Sequence, residues 1–332
     1  MTVTTTTAPP TTTPVPQTPA TRPTLRGHVA IMRIDHWVKQ VFVLPGIAIA
    51  LTSDVTHITN RAWWTVPLGM VAVCLVSSSN YVINEVLDAQ SDLSHPIKRL
   101  RPVPSGKVNV RLAYVQWIAL AIIGIGISFP INVQFGLTMA GLWVMGCLYN
   151  IPPIRSKDKP YLDVLSESIN NPLRMLAGWY MTGTTQLPPT SLLISYWMVG
   201  CYFMALKRYA EYRDIGDPAR AAAYRKSFGY YTLERLLVCI VFYSAAAMLF
   251  LGAFIMRYRL ELIIAFPLVA LVMAMYLGLA FDTESAVVNP EKLYREKKLM
   301  ASVIACAVAM MALMIIDIPV LYDVFKPTGL RI

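Results

Sequence analysis

Charge is scarce in this chain. Asp, Glu, Lys and Arg make up 14% of its 332 residues against 56% hydrophobic residues, and the mean hydropathy is +0.51. A soluble globular chain carries about 25% charged residues, so the balance excludes that class and points to a multi-pass membrane protein. Histidine is rarer still, with four residues, and the five cysteines (Cys74, Cys147, Cys201, Cys239, Cys306) fall in apolar stretches without metal-ligand spacing. They read as small buried hydrophobes, not as a disulfide set. An apolar leader is missing as well. Residues 1–25 form a Thr/Pro tail without periodicity, expected to be a disordered cytoplasmic extension and not a cleaved secretory signal.

What is abundant is long apolar runs. Nine segments have roughly the length needed to cross a bilayer core: 38–53, 63–87, 112–130, 133–150, 161–183, 190–210, 233–256, 261–281 and 300–322. The expected fold is an all-α membrane protein, a bundle of about nine transmembrane helices filling residues 26–332 as one domain. Basic residues sort the connections. All but six of the 29 Lys and Arg fall on the side that holds the N-terminus, which makes that side cytoplasmic and places the C-terminus outside. The net charge of +10 is then a topology signal with anionic-lipid contact, and the short basic loops argue against nucleic acid binding. The longer loops, near 88–111, 151–160, 211–232 and 282–299, share the cytoplasmic face, where chemistry is expected.

Four polar constellations border that face. The first is Asn84-Glu85-Val86-Leu87-Asp88-Ala89-Gln90-Ser91-Asp92, followed by a basic loop that includes Arg101. Asn84, Asp88 and Asp92 recur every four residues, nearly one helical face. Solvated charges at the end of a span are the plain alternative. Yet carboxylates at a membrane boundary are expensive unless they bind a cation, and an all-oxygen donor set suits Mg²⁺. The second is Tyr149-Asn150-Ile151-Pro152-Pro153-Ile154-Arg155-Ser156-Lys157, where the prolines stop a helix and Arg155 and Lys157 can grip phosphate oxygens. The third is Asp163, Glu167, Asn170, Asn171 and Arg174, expected as one polar stripe on a single helix facing the bundle interior or a cavity, with Arg174 either structural, paired with Glu167 or Glu85, or part of the site. The fourth is Lys207-Arg208-Tyr209-Ala210-Glu211 with Tyr224-Arg225-Lys226-Ser227. Here the plain alternative is a solvated amphipathic face; the functional one is a lid or wall in which Lys207, Arg208 and Lys226 hold phosphate and Glu211 completes a metal shell.

The set Asn84-x3-Asp88-x3-Asp92, Tyr149…Pro152-Pro153…Arg155…Lys157, Asp163-x3-Glu167 and Arg174-x3-Gly178 resembles the signature of the UbiA superfamily of intramembrane prenyltransferases over about residues 30–320. The resemblance implies a helical bundle whose central cavity opens laterally to lipid under cytoplasmic cap loops. It also implies a diphosphate donor held by Mg²⁺ on two acidic motifs. Two positions depart from the pattern: Glu85 stands where an aspartate is usual, and Lys207-Arg208-Tyr209-Ala210-Glu211 replaces the second aspartate-rich motif. That replacement, with Trp37-Val38-Lys39-Gln40 and Tyr224-Arg225-Lys226-Ser227-Phe228, is similar to the decaprenyl-phosphate phosphoribosyltransferase branch.

The resemblance therefore implies transfer of phosphoribose from phosphoribosyl diphosphate to a polyprenyl phosphate. The metal set would be Asn84, Glu85, Asp88, Asp92 and Glu211. Asp88, Asp92, Lys157 and Lys207 would be catalytic. Lys39, Arg101, Tyr149, Arg155, Lys157, Arg174, Lys207, Arg208 and Lys226 would hold substrate phosphates. Prenylation of an aromatic acceptor such as 4-hydroxybenzoate is the alternative within the family. A transporter is the alternative of another class, disfavoured because the charges gather at one face instead of crossing the midplane.

Overall fold

The structure is a computed structural model that describes residues 22–52, 62–93, 98–283, 285–288 and 290–326. The tail as far as residue 21, residues 95–97 of the first basic loop, Arg61 and Arg331 lie outside the described residues. Among the described residues every regular element is a helix. Five helical stretches are long and apolar enough to cross a membrane: Leu25–Thr52, Ala62–Asp92, Leu233–Tyr258, Leu260–Leu279 and Lys297–Ile315.

The first of these stretches is composite. A short helix, α1 (Leu25–Ala30), leads through a left-handed Arg33 into a 3-10 segment, Ile34–Val43, and then α2 (Leu44–Thr52). Next, α3 (Ala62–Asp92) runs far enough past its apolar core to carry Asn84, Asp88 and Asp92 in helical register. Side-chain caps set the following starts, as orphan N–H groups require. Asn109 accepts from Arg111 N and Leu112 N ahead of α4 (Val110–Gly126), and Asn132 accepts from Gln134 N ahead of α5 (Val133–Asn150).

The segment expected as one span over 161–183 is two helices, α6 (Leu162–Ser168) and α7 (Asn170–Met181). Pro172 explains the break: it has no N–H to give the Ser168 carbonyl one turn earlier. The polar stripe is split accordingly, with Asp163 and Glu167 on α6 and Asn170, Asn171 and Arg174 on α7. A long helix, α8 (Thr190–Ile215), ends at Gly216, whose φ of 68° needs a residue without a Cβ. Asp217 then caps α9 (Pro218–Tyr224), and Thr232 caps α10 (Leu233–Tyr258). After a 3-10 turn come α11 (Phe266–Leu279), α12 (Lys297–Ile315) and α13 (Pro319–Val324).

Two packed groups of helices form the bundle. In one, α3 lies against α4, α5 and α7; in the other, α8 lies along α10. Val43, Val73, Phe135, Met139 and Trp179 fill the first core, and Leu206, Phe228, Leu236, Tyr243 and Tyr276 the second. Backbones approach closely between α2 and α7, where Gly46 faces the Met175 carbonyl and Gly178 faces Val43. Small residues at such contacts are what helix association in lipid favours. On α10, Val238, Val241, Phe242 and Leu249 are strongly exposed along one stripe, the surface a lipid-facing helix presents.

Candidate functional site

Three loops meet at one end of the bundle. Residues 98–107 follow α3, 151–160 follow α5, and 225–231 follow α9. Lys98 Nζ lies 4.8 Å from the centre of the Tyr224 ring. Asp158 joins the other two loops, accepting from Arg155 Nε at 3.0 Å and pairing with Lys226 Nζ at 3.3 Å. On the first loop's far side, Thr24 N donates to Lys107 O and Asn109 N donates to the His28 ring, which docks α1 there.

Asp88 is the centre of the first cluster. Its Oδ1 accepts from Lys157 Nζ at 2.6 Å and from Arg155 Nη2 at 2.8 Å. Asn150 Oδ1 accepts from Lys157 Nζ at 2.9 Å and from Asn84 Nδ2 at 2.5 Å, so four predicted residues converge through one buried amide. Arg155 reaches Asp88 from a left-handed backbone (φ 33°, ψ 60°), a conformation costing a non-glycine residue about 1 kcal/mol or more. Strain of this kind gathers at functional positions. Burial pushes the Lys157 ammonium below its usual value, while the Asp88 carboxylate beside it pulls the other way.

The remaining acids of the first motif turn elsewhere. Glu85 is buried, and its Oε1 accepts from Val103 N at 3.0 Å; Asp92 pairs with Arg101 at 2.7 Å. Both therefore anchor the 98–107 loop to α3. Of the four residues expected as one metal set, Glu85 and Asp92 are turned to that loop, Asn84 to Asn150 and Asp88 to Arg155 and Lys157. Arg101, expected on phosphate, is committed to Asp92.

A second cluster centres on Arg208, whose side chain is 1% exposed. Its Nε donates to Asp163 at 3.2 Å, Nη2 to Glu167 at 2.7 Å and Nη1 to Glu211 at 3.2 Å. Arg208, expected on substrate phosphate, thus gives one N–H of each guanidinium nitrogen to a carboxylate inside the protein. Glu211 takes part in this cluster through Arg208, and among the described residues no side chain is bonded to both Glu211 and Asp88. Asp163 also accepts from Ser227 Oγ at 3.1 Å and Tyr231 OH at 2.8 Å, which ties α6 to the loop after α9. Tyr149 links the clusters: its OH donates to Glu167 at 2.9 Å, and Lys157 Nζ lies 5.9 Å from its ring centre.

The other predicted residues are dispersed. Half-buried Lys207 acts electrostatically on Glu167 and Glu211 from the adjacent position of α8. Lys226 is largely exposed on the cap. Arg174 pairs with neither Glu167 nor Glu85; its Nε donates to Gln40 Oε1 at 3.1 Å, one residue after Lys39. Asn150, Asp163 and Arg225 lie within the sequence motifs without an assigned site role, while Asp158 and the pairing of Gln40 with Arg174 lie outside what those motifs pointed to. The Tyr149-Asn150 pair at the end of a span was the available signal for Asn150, since a buried amide there needs partners.

A fit test for Mg²⁺ divides the clusters. Asn84 Oδ1 and Asp88 Oδ2 are hard oxygens that accept no hydrogen bond among the described residues, and Asp88 is partly open to solvent. They fit a divalent cation that keeps several waters or phosphate oxygens. In the second cluster the guanidinium occupies the space between the acids, and no group of three acidic, histidine or cysteine side chains among the described residues is arranged around an ion.

The helical bundle has counterparts among solved structures. A UbiA homolog from Archaeoglobus fulgidus bound to GPP and Mg²⁺ superposes with a TM-score of 0.64 over 87% of this chain and 100% of that chain, at 19% identity. The same homolog bound to DMAPP and Mg²⁺ gives 0.64 over 88% and 100%. These likenesses concern the fold. Residues 41–303 match the UbiA prenyltransferase family, and the chain belongs to that family. It is 32% identical over 212 residues to the decaprenyl-phosphate phosphoribosyltransferase of Corynebacterium glutamicum, covering 62% of this chain and 60% of that protein. With the protein of the same name from Mycolicibacterium smegmatis it shares 28% identity over 211 residues, 63% and 64% of the two chains. The chain thus spans about three-fifths of the length of the curated relatives it matches.

Proposed function

We propose that this protein is an integral-membrane, Mg²⁺-dependent transferase that moves phosphoribose from phosphoribosyl diphosphate to a polyprenyl phosphate. One observation carries the reading: Asp88, beside Asn84, faces two cations at once, Lys157 and Arg155, with Lys207, Arg225 and Lys226 on the neighbouring walls. So many cations around one small oxygen-donor site suit a donor that bears a diphosphate and a further phosphate. They suit less well a prenyl diphosphate, whose remainder is apolar. The names carried by the corynebacterial and mycolicibacterial relatives support the same donor and acceptor.

In this reading Asn84 and Asp88 hold the ion, and when bound it stabilises negative charge on the departing diphosphate. Lys157 and Arg155 trade their contact with Asp88 for the diphosphate oxygens, Lys207 adds charge at the second wall, and Tyr149 keeps Lys157 in place. The lipid phosphate attacks the anomeric carbon; its oxygen forms the new C1–O bond as the old one breaks, and diphosphate leaves with the electron pair. The nucleophile is already anionic, so no side chain has to remove a proton. In this reading residues 26–332 act as one domain of about nine spans, with a cavity open to lipid that would let the polyprenyl chain stay in the bilayer. The N-terminus and the three-loop cap face the cytoplasm, and the C-terminus lies outside, in keeping with the basic bias.

Purified full-length protein with Mg²⁺ would be given labelled phosphoribosyl diphosphate and polyprenyl phosphate, or labelled prenyl diphosphate and 4-hydroxybenzoate. Label entering lipid in the first mixture supports the reading. Product only in the second overturns it in favour of aromatic prenylation.

A further inference from the structure

The Arg208 cluster is an odd object for a site that handles anions. Three carboxylates converge on a buried point, and that point holds a guanidinium. Asp163, Glu167 and Glu211 each take a different nitrogen of Arg208 within 3.2 Å. The three acids are matched by more than the charge of Arg208, since Lys207 and Arg225 also act on Glu167 and Glu211, and Lys98 on Glu211. No net negative charge remains there to draw in a divalent ion. A guanidinium keeps its proton at any working pH, so this cation is permanent.

We propose that Arg208 takes the place of a second metal ion, so that the protein works with the single ion of the Asn84–Asp88 site. The proposal rests on the transferase reading above for that first ion only. Arg208 acts as a positioning residue. It fixes Glu167, which accepts from Tyr149 OH, and the Tyr149 ring lies under Lys157, the partner of Asp88. Asp163 carries the same fixed charge to Ser227 and Tyr231 on the loop that also bears Arg225. The Arg225 Nε is buried and without a hydrogen-bond partner among the described residues. A donor of that kind, held in place by the cluster, can meet phosphate charge that a second ion would otherwise neutralise.

The test counts bound Mn²⁺ by electron paramagnetic resonance on the full chain in detergent, with inorganic diphosphate as the added ligand. The wild type is expected to hold one ion per chain. Asp88→Asn should lose it, while Glu167→Gln and Glu211→Gln should keep it. Arg208→Lys should also stay at one, and Arg208→Met, with its three acids released, should rise to two. Two ions in the wild type, one of them lost in Glu211→Gln, would overturn the proposal; so would a folded Arg208→Met that stays at one. If Arg208→Met does not fold, the wild-type and Glu211→Gln counts still decide. A wild-type count of zero removes the Asn84–Asp88 ion and leaves the Arg208 cluster without metal, so the two failures are told apart.

Discussion

Arg208→Met should be the most destabilising conservative-volume change in the cap region. Methionine fills much of the same space, so the effect comes from charge and not from a cavity. Removing one partner of a buried ion pair costs about 3–5 kcal/mol, because the other is left desolvated and alone. Here three carboxylates lose their cation, but they do not count equally. Asp163 is 0% exposed and Glu211 8%, whereas Glu167 at 32% can recruit water. Asp163 keeps its bonds from Ser227 and Tyr231, which offsets part of its loss. The expected total is therefore about 3–5 kcal/mol and not three times that figure. It would be read from unfolding in detergent with EDTA present. The double variant with Glu211→Gln should be less destabilised than the two single effects added, by roughly 1–3 kcal/mol, because the charges are coupled. An Arg208→Met variant within about 1 kcal/mol of the wild type, with additive single effects, would refute the buried-cluster account.

Three other outcomes follow from the same geometry. The Lys157 ammonium titrates below its usual 10.5, pushed there by burial; the folded state then sheds this proton before the unfolded one does. Its contribution to stability should therefore rise as pH climbs toward 10.5, while the KM for the donor worsens over the same range as the cation is lost. Lys157→Gln should flatten both profiles. Asp88→Asn should keep the fold and lower kcat by at least about a hundredfold if the ion supplies several kcal/mol to the leaving group, as measured by product formation and by an unchanged thermal transition. Gly178→Ala places a methyl against the Val43 carbonyl where α2 and α7 touch, and should cost about 1–3 kcal/mol in the same unfolding assay.

Helix positions were legible because lipid demands long apolar runs, and such runs survive in the sequence as contiguous text. The break between α6 and α7 was missed: Pro172 marks it, but hydropathy over 161–183 hid it because both pieces carry apolar residues. What could not be read was pairing. Arg208 looks like Lys207 in the sequence, two cations at the end of a span. Its burial depends on Asp163, 45 positions away, and Glu167, 41 positions away. The motif around Asn84 fixed where acids sit along α3, yet a helix turns neighbouring residues to different partners. Glu85 therefore found Val103 N while Asp88 found Lys157. Sequence spacing names a face; the chain that packs against it decides which atoms meet.

If the Asp88–Lys157 site cleaves a phosphoribosyl donor at C1, as proposed, the two halves of that donor must part. Donor carrying one isotope in the ribose and another in the diphosphate tests it most directly, with polyprenyl phosphate, Mg²⁺ and purified protein. The account predicts that the ribose label enters the lipid phase while the diphosphate label stays in water as inorganic diphosphate, and that Asp88→Asn stops both movements. Retention of both labels in unreacted donor, by an enzyme that converts prenyl diphosphate and 4-hydroxybenzoate under the same conditions, would contradict it.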